Sequence, residues 1–352
     1  MSDPPIDRRT LLRNGAVALL GAGMTSALAA CGDATGTLGP HDEAVARRSI
    51  AIDYASYYPP VADLRRLVEQ RAHARAAAVT FSDDAAGVAA QLATLSRWSG
   101  PRGGFRVVVV APFDVAAVAP VARAVLARGI DVVSYLTPLP QQTAGIVVDP
   151  QRCGRLLAAD VAAWGRRVLG GHGSALLVRP PTRAAVPDPF APLAARSERA
   201  LLDELGRRAP GVEPVAATAA QGAADAQAAV ARALRDYPST RIVLCWNDAT
   251  ATGAAAALGE HFPPREHPRL YSGGVAAAGI STRATLRALG RDGILRCLVA
   301  PRLGDLADAL VELPYALLHG RPAHDVRVPA RALGSAAPRS IAAYARDYAP
   351  NG

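Results

Sequence analysis

Two polar side chains, Asn247 and Asp248, directly follow a short apolar run at residues 242–246. The run is typical of a strand buried on both faces, and the alanine-rich residues after it favour a helix. An amide and a carboxylate at such a turn can hydrogen-bond a polar ligand, and open α/β sheets bind ligands at the carboxyl ends of their strands. We therefore predict a ligand site at this turn, with Trp246 and Asn247 in it.

Each of these side chains also has a structural role open to it. Asp248 can cap the following helix, since aspartate is a favoured N-cap residue. Asn247 suits either role. Trp246 can stack on a ligand ring or fill the protein interior, because an indole buries a large area in both settings.

The sequence gives only weak signals for a metal site, an anion-binding loop or a catalytic nucleophile. His261, Glu266 and His267 are separated by prolines and lack a third ligand at metal-site spacing, so we predict no metal. The glycine-rich residues 170–174 precede a strand instead of opening a helix, which removes the usual anion-binding geometry. Neither a Gly-x-Ser-x-Gly elbow nor a Cys–His nucleophile context occurs in the sequence. We predict a protein that is not an enzyme and uses no cofactor.

Length and composition allow two domains in 352 residues with a substantial core, since half the residues are hydrophobic. The net charge of +9 comes entirely from arginines spread along the chain, and aromatics are 5%. Nucleic-acid surfaces need clustered basic residues, so no nucleic acid is expected. Beyond Cys31, the cysteines form no Cys-x-x-Cys pair, and we expect no disulfide; they are Cys153, Cys245 and Cys297.

The N-terminus resembles a twin-arginine export signal. Arg8 and Arg9 precede two leucines, and the apolar residues 16–30 are too few for a comfortable membrane span. The run ends in Leu-Ala-Ala before Cys31, which resembles a lipoprotein cleavage site with Cys31 as the lipidated residue. An ordinary signal peptide with a chance cysteine is the alternative. We predict a signal peptide at residues 1–30, a flexible tether at 31–47, and membrane anchoring on the extracytoplasmic face.

Beyond residue 48, apolar strands and amphipathic helices alternate with short turns, and the alternation restarts after residue 154. This pattern predicts parallel sheets covered by helices. The fold class is α/β, with two doubly wound lobes hinged around a central cleft. Strands are predicted at 49–54, 79–81, 107–111, 130–135, 145–148, 174–178, 212–218, 242–246, 270–272, 294–299 and 325–328. Helices are predicted at 61–78, 85–98, 115–128, 156–169, 196–208, 221–237, 282–291 and 303–318.

Several motifs, in order over residues 48–345, make the chain similar to the type I periplasmic-binding-protein family of ribose- and galactose-binding proteins and lactose-repressor-like effector domains. They are an apolar strand with Pro-x-Asp at 107–114, a Gly-Ile-x-Val-Val strand at 129–133, Asp149 with Gly154, Asn247-Asp248 with Gly253, and residues 289–296. The resemblance implies hinge closure of two lobes around a ligand. It assigns residues 48–149 and 302–322 to the N-terminal lobe, 150–301 and 323–335 to the C-terminal lobe, and 336–352 to an extension.

The resemblance also implies which residues contact the ligand. They are Tyr57, Tyr58, Asp114, Thr137, Arg199, Trp246, Asn247 and Gly274. Arg199 resembles a cleft arginine that donates to sugar hydroxyls, although a charge on a helix face can equally be solvated.

The chain departs from the family pattern at three polar positions. Leu136-Thr137 stands where sugar-binding members often have an acidic residue followed by Arg or Asn. Gly274 stands where they have a carboxylate, and Ala300 stands near the position of a hinge Gln or Asn. We expect a lipid-anchored solute-binding protein that captures a small polar ligand, a carbohydrate first, for an ABC permease or a membrane sensor. The departures motivate an alternative, a cell-surface interaction module without sugar binding.

Overall fold

The computed structural model describes residues 49–54, 61–82, 87–100, 103–181, 190–291, 293–334 and 338–348. The predicted signal peptide, the tether, Cys31, Tyr57 and Tyr58 lie outside these ranges. None of the described helices is long and apolar enough to cross a membrane.

The first sheet has six parallel strands in the order β11-β5-β4-β3-β1-β2. Its valine-rich strands are buried on both faces, as expected where helices cover a parallel sheet. Helices α1 and α9 pack together on one face and α2 and α3 on the other. The elements are β1 (Ser49–Asp53), α1 (Val61–His73), β2 (Ala78–Phe81), α2 (Val88–Trp98), β3 (Phe105–Val110), α3 (Val115–Leu126), β4 (Asp131–Tyr135), β5 (Ala144–Val147), α9 (Leu303–Leu318) and β11 (Val326–Arg327).

Within the described residues, the second sheet also has six strands, in the order β12-β10-β9-β8-β6-β7, and β12 alone runs antiparallel to its neighbour. Helix α4 packs against α5, and α6 packs against α7. The elements are α4 (Pro150–Leu169), β6 (Gly173–Arg179), α5 (Ala191–Arg208), β7 (Val212–Ala219), α6 (Ala223–Asp236), β8 (Ile242–Cys245), α7 (Asp248–His261), β9 (Tyr271–Val275), α8 (Arg283–Arg291), β10 (Leu295–Pro301) and β12 (Ala330–Gly334). A 3₁₀ helix at Pro264–Arg269 precedes β9, and α10 (Pro338–Ala345) follows β12.

Both sheets are wound in the same way. The strand order reverses between β1 and β3 in the first sheet and between β6 and β8 in the second. Such reversals open a crevice at the carboxyl ends of the strands, where ligands bind in this class of sheet. The chain passes between the two sheets three times, after β5, β10 and β11. The predicted fold class, two doubly wound α/β units, is confirmed.

Several predicted boundaries were wrong. Helix α4 begins at Pro150, not at 156, because the Asp149 carboxylate accepts hydrogen bonds from the amides of Gln151 and Arg152, and proline suits the first helical position. Helix α5 begins at Ala191 instead of 196.

The C-terminal part of the chain also differs from expectation. Residues 323–335 were expected in the C-terminal lobe, but Val326–Arg327 pairs with β5 of the first sheet. Strand β12 and helix α10 were not predicted. Their sequences, Ala330–Gly334 and Pro338–Ala345, are short, and only pairing with β10 and packing against α8 give them regular structure.

Candidate functional site

Two adjoining cavities lie at the carboxyl edge of the second sheet. Both are lined by Ala194 and Ser197 of α5, by Trp246 after β8, and by Val275 at the end of β9. The first cavity also touches Pro150, Phe190, Leu193, Asn247, Ala277 and Ala278. The second extends inward to Leu157, Leu177, Val178, Glu198, Leu201, Leu244 and Cys245. The cavities therefore lie beside the switch point between β6 and β8.

Asn247 lines the first cavity, but its side chain is already engaged by the protein. It is the N-cap of α7, where Oδ1 accepts from the Thr250 amide at 2.7 Å and from the Thr250 hydroxyl at 2.8 Å. Its Nδ2 donates to the Gln221 carbonyl at 3.3 Å. The amide therefore fixes the start of the helix, and its contact with a ligand stays a prediction.

Asp248 was expected as the helix cap, and that expectation was wrong. Because Asn247 takes the cap, Asp248 occupies the first helical position and is buried, with 1% exposure. Its Oδ2 accepts from the Ser281 amide at 2.6 Å and from the Ser281 hydroxyl at 2.5 Å, while its Oδ1 has no hydrogen-bond partner among the described residues. Burial raises the pKa of this carboxyl, and the Ser281 hydrogen bonds oppose the shift.

Trp246 forms part of the wall of both cavities and is half-buried. Its indole Nε1 donates to the Ala220 carbonyl at 2.8 Å, which fixes the ring orientation. The backbone amide of Trp246 continues the sheet by donating to the Val178 carbonyl at 3.1 Å. An indole held in this way presents a rigid apolar surface to the cavity.

Two glycines allow the close contacts that shape this region. A Cβ at Gly274 would lie 2.5 Å from the Asn247 carbonyl oxygen, so only glycine lets β9 approach the turn after β8. A Cβ at Gly154 would lie 2.0 Å from the Ser197 carbonyl oxygen, so glycine also sets the distance between α4 and α5. Gly274 therefore has a packing role, and its ligand contact stays a prediction.

Of the other predicted site residues that the structure describes, none lines either cavity. Arg199 lies on the exposed face of α5, whereas the adjacent Glu198 forms a bidentate ion pair with Arg179. Asp114 is exposed and caps α3 by accepting from two backbone amides at 2.8 and 3.1 Å. Thr137 is buried after β4. Ligand contacts at these positions stay predictions.

An aromatic cluster at the carboxyl edge of the first sheet was missed by sequence reasoning. Tyr54 stacks on Phe81 at 5.6 Å between ring centroids and meets Tyr135 edge-on at 6.2 Å. Both tyrosine hydroxyls are buried without a hydrogen-bond partner among the described residues, and burial raises their pKa. All three rings stand at or just beyond strand ends, the positional signal that could have found them.

Beside this cluster the backbone is strained. Leu136, the residue after Tyr135, is fully buried and has φ of 65°, a conformation that non-glycine residues rarely adopt. Its amide donates to the Ile146 carbonyl at 2.8 Å, which helps to hold the conformation. Strain of this kind costs about 1–3 kcal/mol and is concentrated at functional sites.

The histidines considered for a metal have other partners. Glu266 pairs with Arg241 at 2.8 Å, and the His267 Nε2 lies 3.2 Å from the Gly259 carbonyl and 3.1 Å from that of Phe262. Across the part of the chain that the structure describes, no group of three or more His, Cys, Asp or Glu side chains is placed to hold a metal ion.

A family model, described as a periplasmic binding protein domain, matches residues 59–322. This range covers most of both sheets and includes the cavities. No curated protein matches the chain in sequence.

Solved structures share the fold at low sequence identity. The Caulobacter myo-inositol binding protein bound to myo-inositol superposes with a TM-score of 0.71 and 18% identity, over 85% of this chain and 97% of its own. A Burkholderia graminis ABC transporter solute-binding protein in complex with D-arabinose gives a TM-score of 0.69 and 15% identity, over 83% and 96%. A Mycobacterium smegmatis ABC transporter solute-binding protein with bound glycerol gives 0.64 and 17%, over 83% and 96%.

Proposed function

Since the chain belongs to the periplasmic binding protein family, we propose that it captures a small polar ligand, a carbohydrate or related polyol, by closing its two lobes around it. The observation that carries this proposal is the pair of cavities at the switch point of the second sheet. Ligand pockets are largely apolar, with a few polar groups that fix orientation. The walls of these two cavities are likewise mostly apolar, with Ser197 in both and Asn247 in the first.

The chemistry of the cavity wall suits a ring with one apolar face. Trp246 offers a rigid indole whose N–H is already bonded, so its ring can pack against the C–H face of a sugar or cyclic polyol. Ser197 adds a buried hydroxyl to both cavities. The structural neighbours carry myo-inositol, D-arabinose and glycerol, which are all polyhydroxylated.

Closure requires a hinge, and the three chain crossings provide one. We place the N-terminal lobe at residues 48–149 and 302–322, with β11 added, and the C-terminal lobe around the second sheet. Rotation at the crossings would bring the carboxyl edges of the sheets together and remove the ligand from water.

Export and delivery complete the proposal. The twin-arginine signal would direct export, and a lipid on Cys31 would then anchor the protein on the extracytoplasmic face, with residues 31–47 as a tether. An ABC permease would receive the ligand there, and a membrane sensor is the other candidate recipient.

A thermal-shift panel of sugars, polyols and nucleosides tests the ligand class. A ligand at 100 times its Kd should stabilise the protein by about 2.7 kcal/mol, which gives a clear rise in Tm. The matched variants are Ser197→Ala, which alters the cavity wall, and Arg196→Ala, which removes an exposed side chain from the same helix. We expect Ser197→Ala to reduce the rise. A flat response of the folded protein to the whole panel would contradict the proposal.

A further inference from the structure

The C-terminal segment, defined here as residues 338–348, makes hydrogen bonds to three separate parts of the chain. Its centre is the buried carboxylate of Asp347, which is 6% exposed. Arg302 donates to both carboxylate oxygens, at 2.9 and 2.8 Å, and the Gly304 amide donates to one of them at 3.0 Å. Arg302 and Gly304 stand where the chain leaves β10 and enters α9. The segment therefore binds the chain at the crossing between the sheets that follows β10.

The same segment contacts elements that belong to different sheets. Arg66 of α1 donates to the Asp347 carbonyl at 2.6 Å, and α1 packs with α9 on the first sheet. On the other side, the Tyr348 hydroxyl donates to the Ile280 carbonyl at 2.8 Å and accepts from the Ile280 amide at 3.1 Å. Ile280 lies in the loop that leaves β9 of the second sheet.

That loop, residues 276–281, is also part of the candidate ligand site. Ala277 and Ala278 line the first cavity. At the end of the loop, Ser281 holds the buried carboxylate of Asp248, the neighbour of the cavity residue Asn247. The loop is therefore held by Asp248 from one side and by the C-terminal segment from the other.

Loss of the hydrogen bonds between the Tyr348 hydroxyl and the Ile280 backbone would destabilise the loop, because every group in this contact is buried. Tyr348 is 4% exposed and Ile280 is fully buried. Removing the hydroxyl would leave a backbone N–H and a carbonyl without partners and without access to water, which is costly for both groups.

We propose that Asp347 and Tyr348 are positioning residues for the ligand cavity. They hold the loop at residues 276–281 in a fixed place relative to the crossing at Arg302, so that cavity shape and lobe closure depend on the C-terminal segment. The ligand-binding part of this inference rests on the proposed function. The placement of the loop does not.

The test compares Tyr348→Phe with Tyr344→Phe in the full-length protein. The control removes a buried hydroxyl from the same segment, since Tyr344 donates to the Ala300 carbonyl at 3.0 Å but makes no hydrogen bond to the loop. Amide hydrogen exchange measures the loop directly. We expect exchange at residues 276–281 to accelerate at least about fivefold in Tyr348→Phe, because a buried hydrogen-bond partner is lost, and to stay unchanged in Tyr344→Phe.

Affinity for a ligand from the thermal-shift panel gives the second measurement. Tyr348→Phe and Asp347→Asn should each weaken binding at least about fivefold, whereas Tyr344→Phe should bind as the wild type does. Unchanged loop exchange in Tyr348→Phe, or equal effects of the two tyrosine variants, would overturn the inference. If the wild type binds nothing in the panel, the proposed function fails, and the exchange comparison still decides whether the segment positions the loop.

Discussion

Gly154 controls the contact between α4 and α5, and replacing it with alanine should destabilise the protein. The added Cβ would lie 2.0 Å from the Ser197 carbonyl oxygen and 2.9 Å from the Leu201 amide nitrogen. Both are backbone atoms, so no side chain can rotate away. Ordinary van der Waals contact begins at 3.4 Å, so α5 would have to move away from α4 by roughly 1.4 Å. Such overpacking costs about 1–3 kcal/mol, and the helix propensity of alanine returns about 1 kcal/mol.

Gly165 provides a matched control in the same helix. A Cβ there would meet only the Val212 Cγ2 atom, at an ordinary 3.6 Å. Gly165→Ala should therefore stabilise the protein by about 1 kcal/mol through helix propensity. For Gly154→Ala, an overpacking cost of about 3 kcal/mol minus the same propensity gain leaves a net destabilisation of about 2 kcal/mol.

The difference of about 3 kcal/mol corresponds to a Tm gap of about 6 °C at roughly 2 °C per kcal/mol for a large domain. Differential scanning calorimetry and urea titration both measure it. Gly154→Ala should also weaken ligand binding, because α5 carries Ala194 and Ser197 into the cavities. A Gly154→Ala protein as stable as Gly165→Ala would refute the argument that backbone contact sets the α4–α5 distance.

Two further predictions concern buried ionisable groups. Burial raises the pKa of Asp248 above its ordinary value of 3.8, so its contribution to stability is complete below that pH and is lost as pH rises through the raised pKa. Asp248→Asn does not ionise, so urea titrations from pH 4 to 7 should show the variant gaining stability relative to wild type, and a constant difference would contradict this. Burial also raises the pKa of the Cys153 thiol to about 12, and it raises the pKa values of the Cys245 and Cys297 thiols. At pH 8 these thiols should be inert to Ellman's reagent in the native protein and reactive in urea, and rapid reaction of the native thiols would show that they are accessible.

Much of the fold is readable from the sequence because its signals are local. Helix α9, Leu303–Leu318, was predicted at both ends from its apolar pattern, and the valine run of β3 marks a strand buried on both faces. The alternation of strands and helices then requires parallel sheets. The start of α4 was missed although Asp149 and Pro150 are a strong local signal, because the alternation was predicted to restart only after residue 154.

The details of the site were less readable. The turn at Asn247 and Asp248 was correctly placed at the end of β8, but Asn247 caps the helix in place of Asp248, which is buried against Ser281. Which of them caps the helix depends on Ser281, which is 33 residues away and takes Asp248 as its partner. The exposure of Arg199 depends on the rotation of α5 against α4, and the close contact at Gly154 sets the spacing of those two helices.

Local sequence patterns account for most of the helices and strands and for the winding of two α/β units, since these follow from periodicity, caps and strand ends. The packing of distant residues settles which side chains are free at the carboxyl edge of the second sheet and which are engaged. It also places β11 in the first sheet and joins Tyr348 to Ile280 across 68 residues. Contacts between residues so far apart in the chain depend on packing, and local sequence patterns carry no record of them.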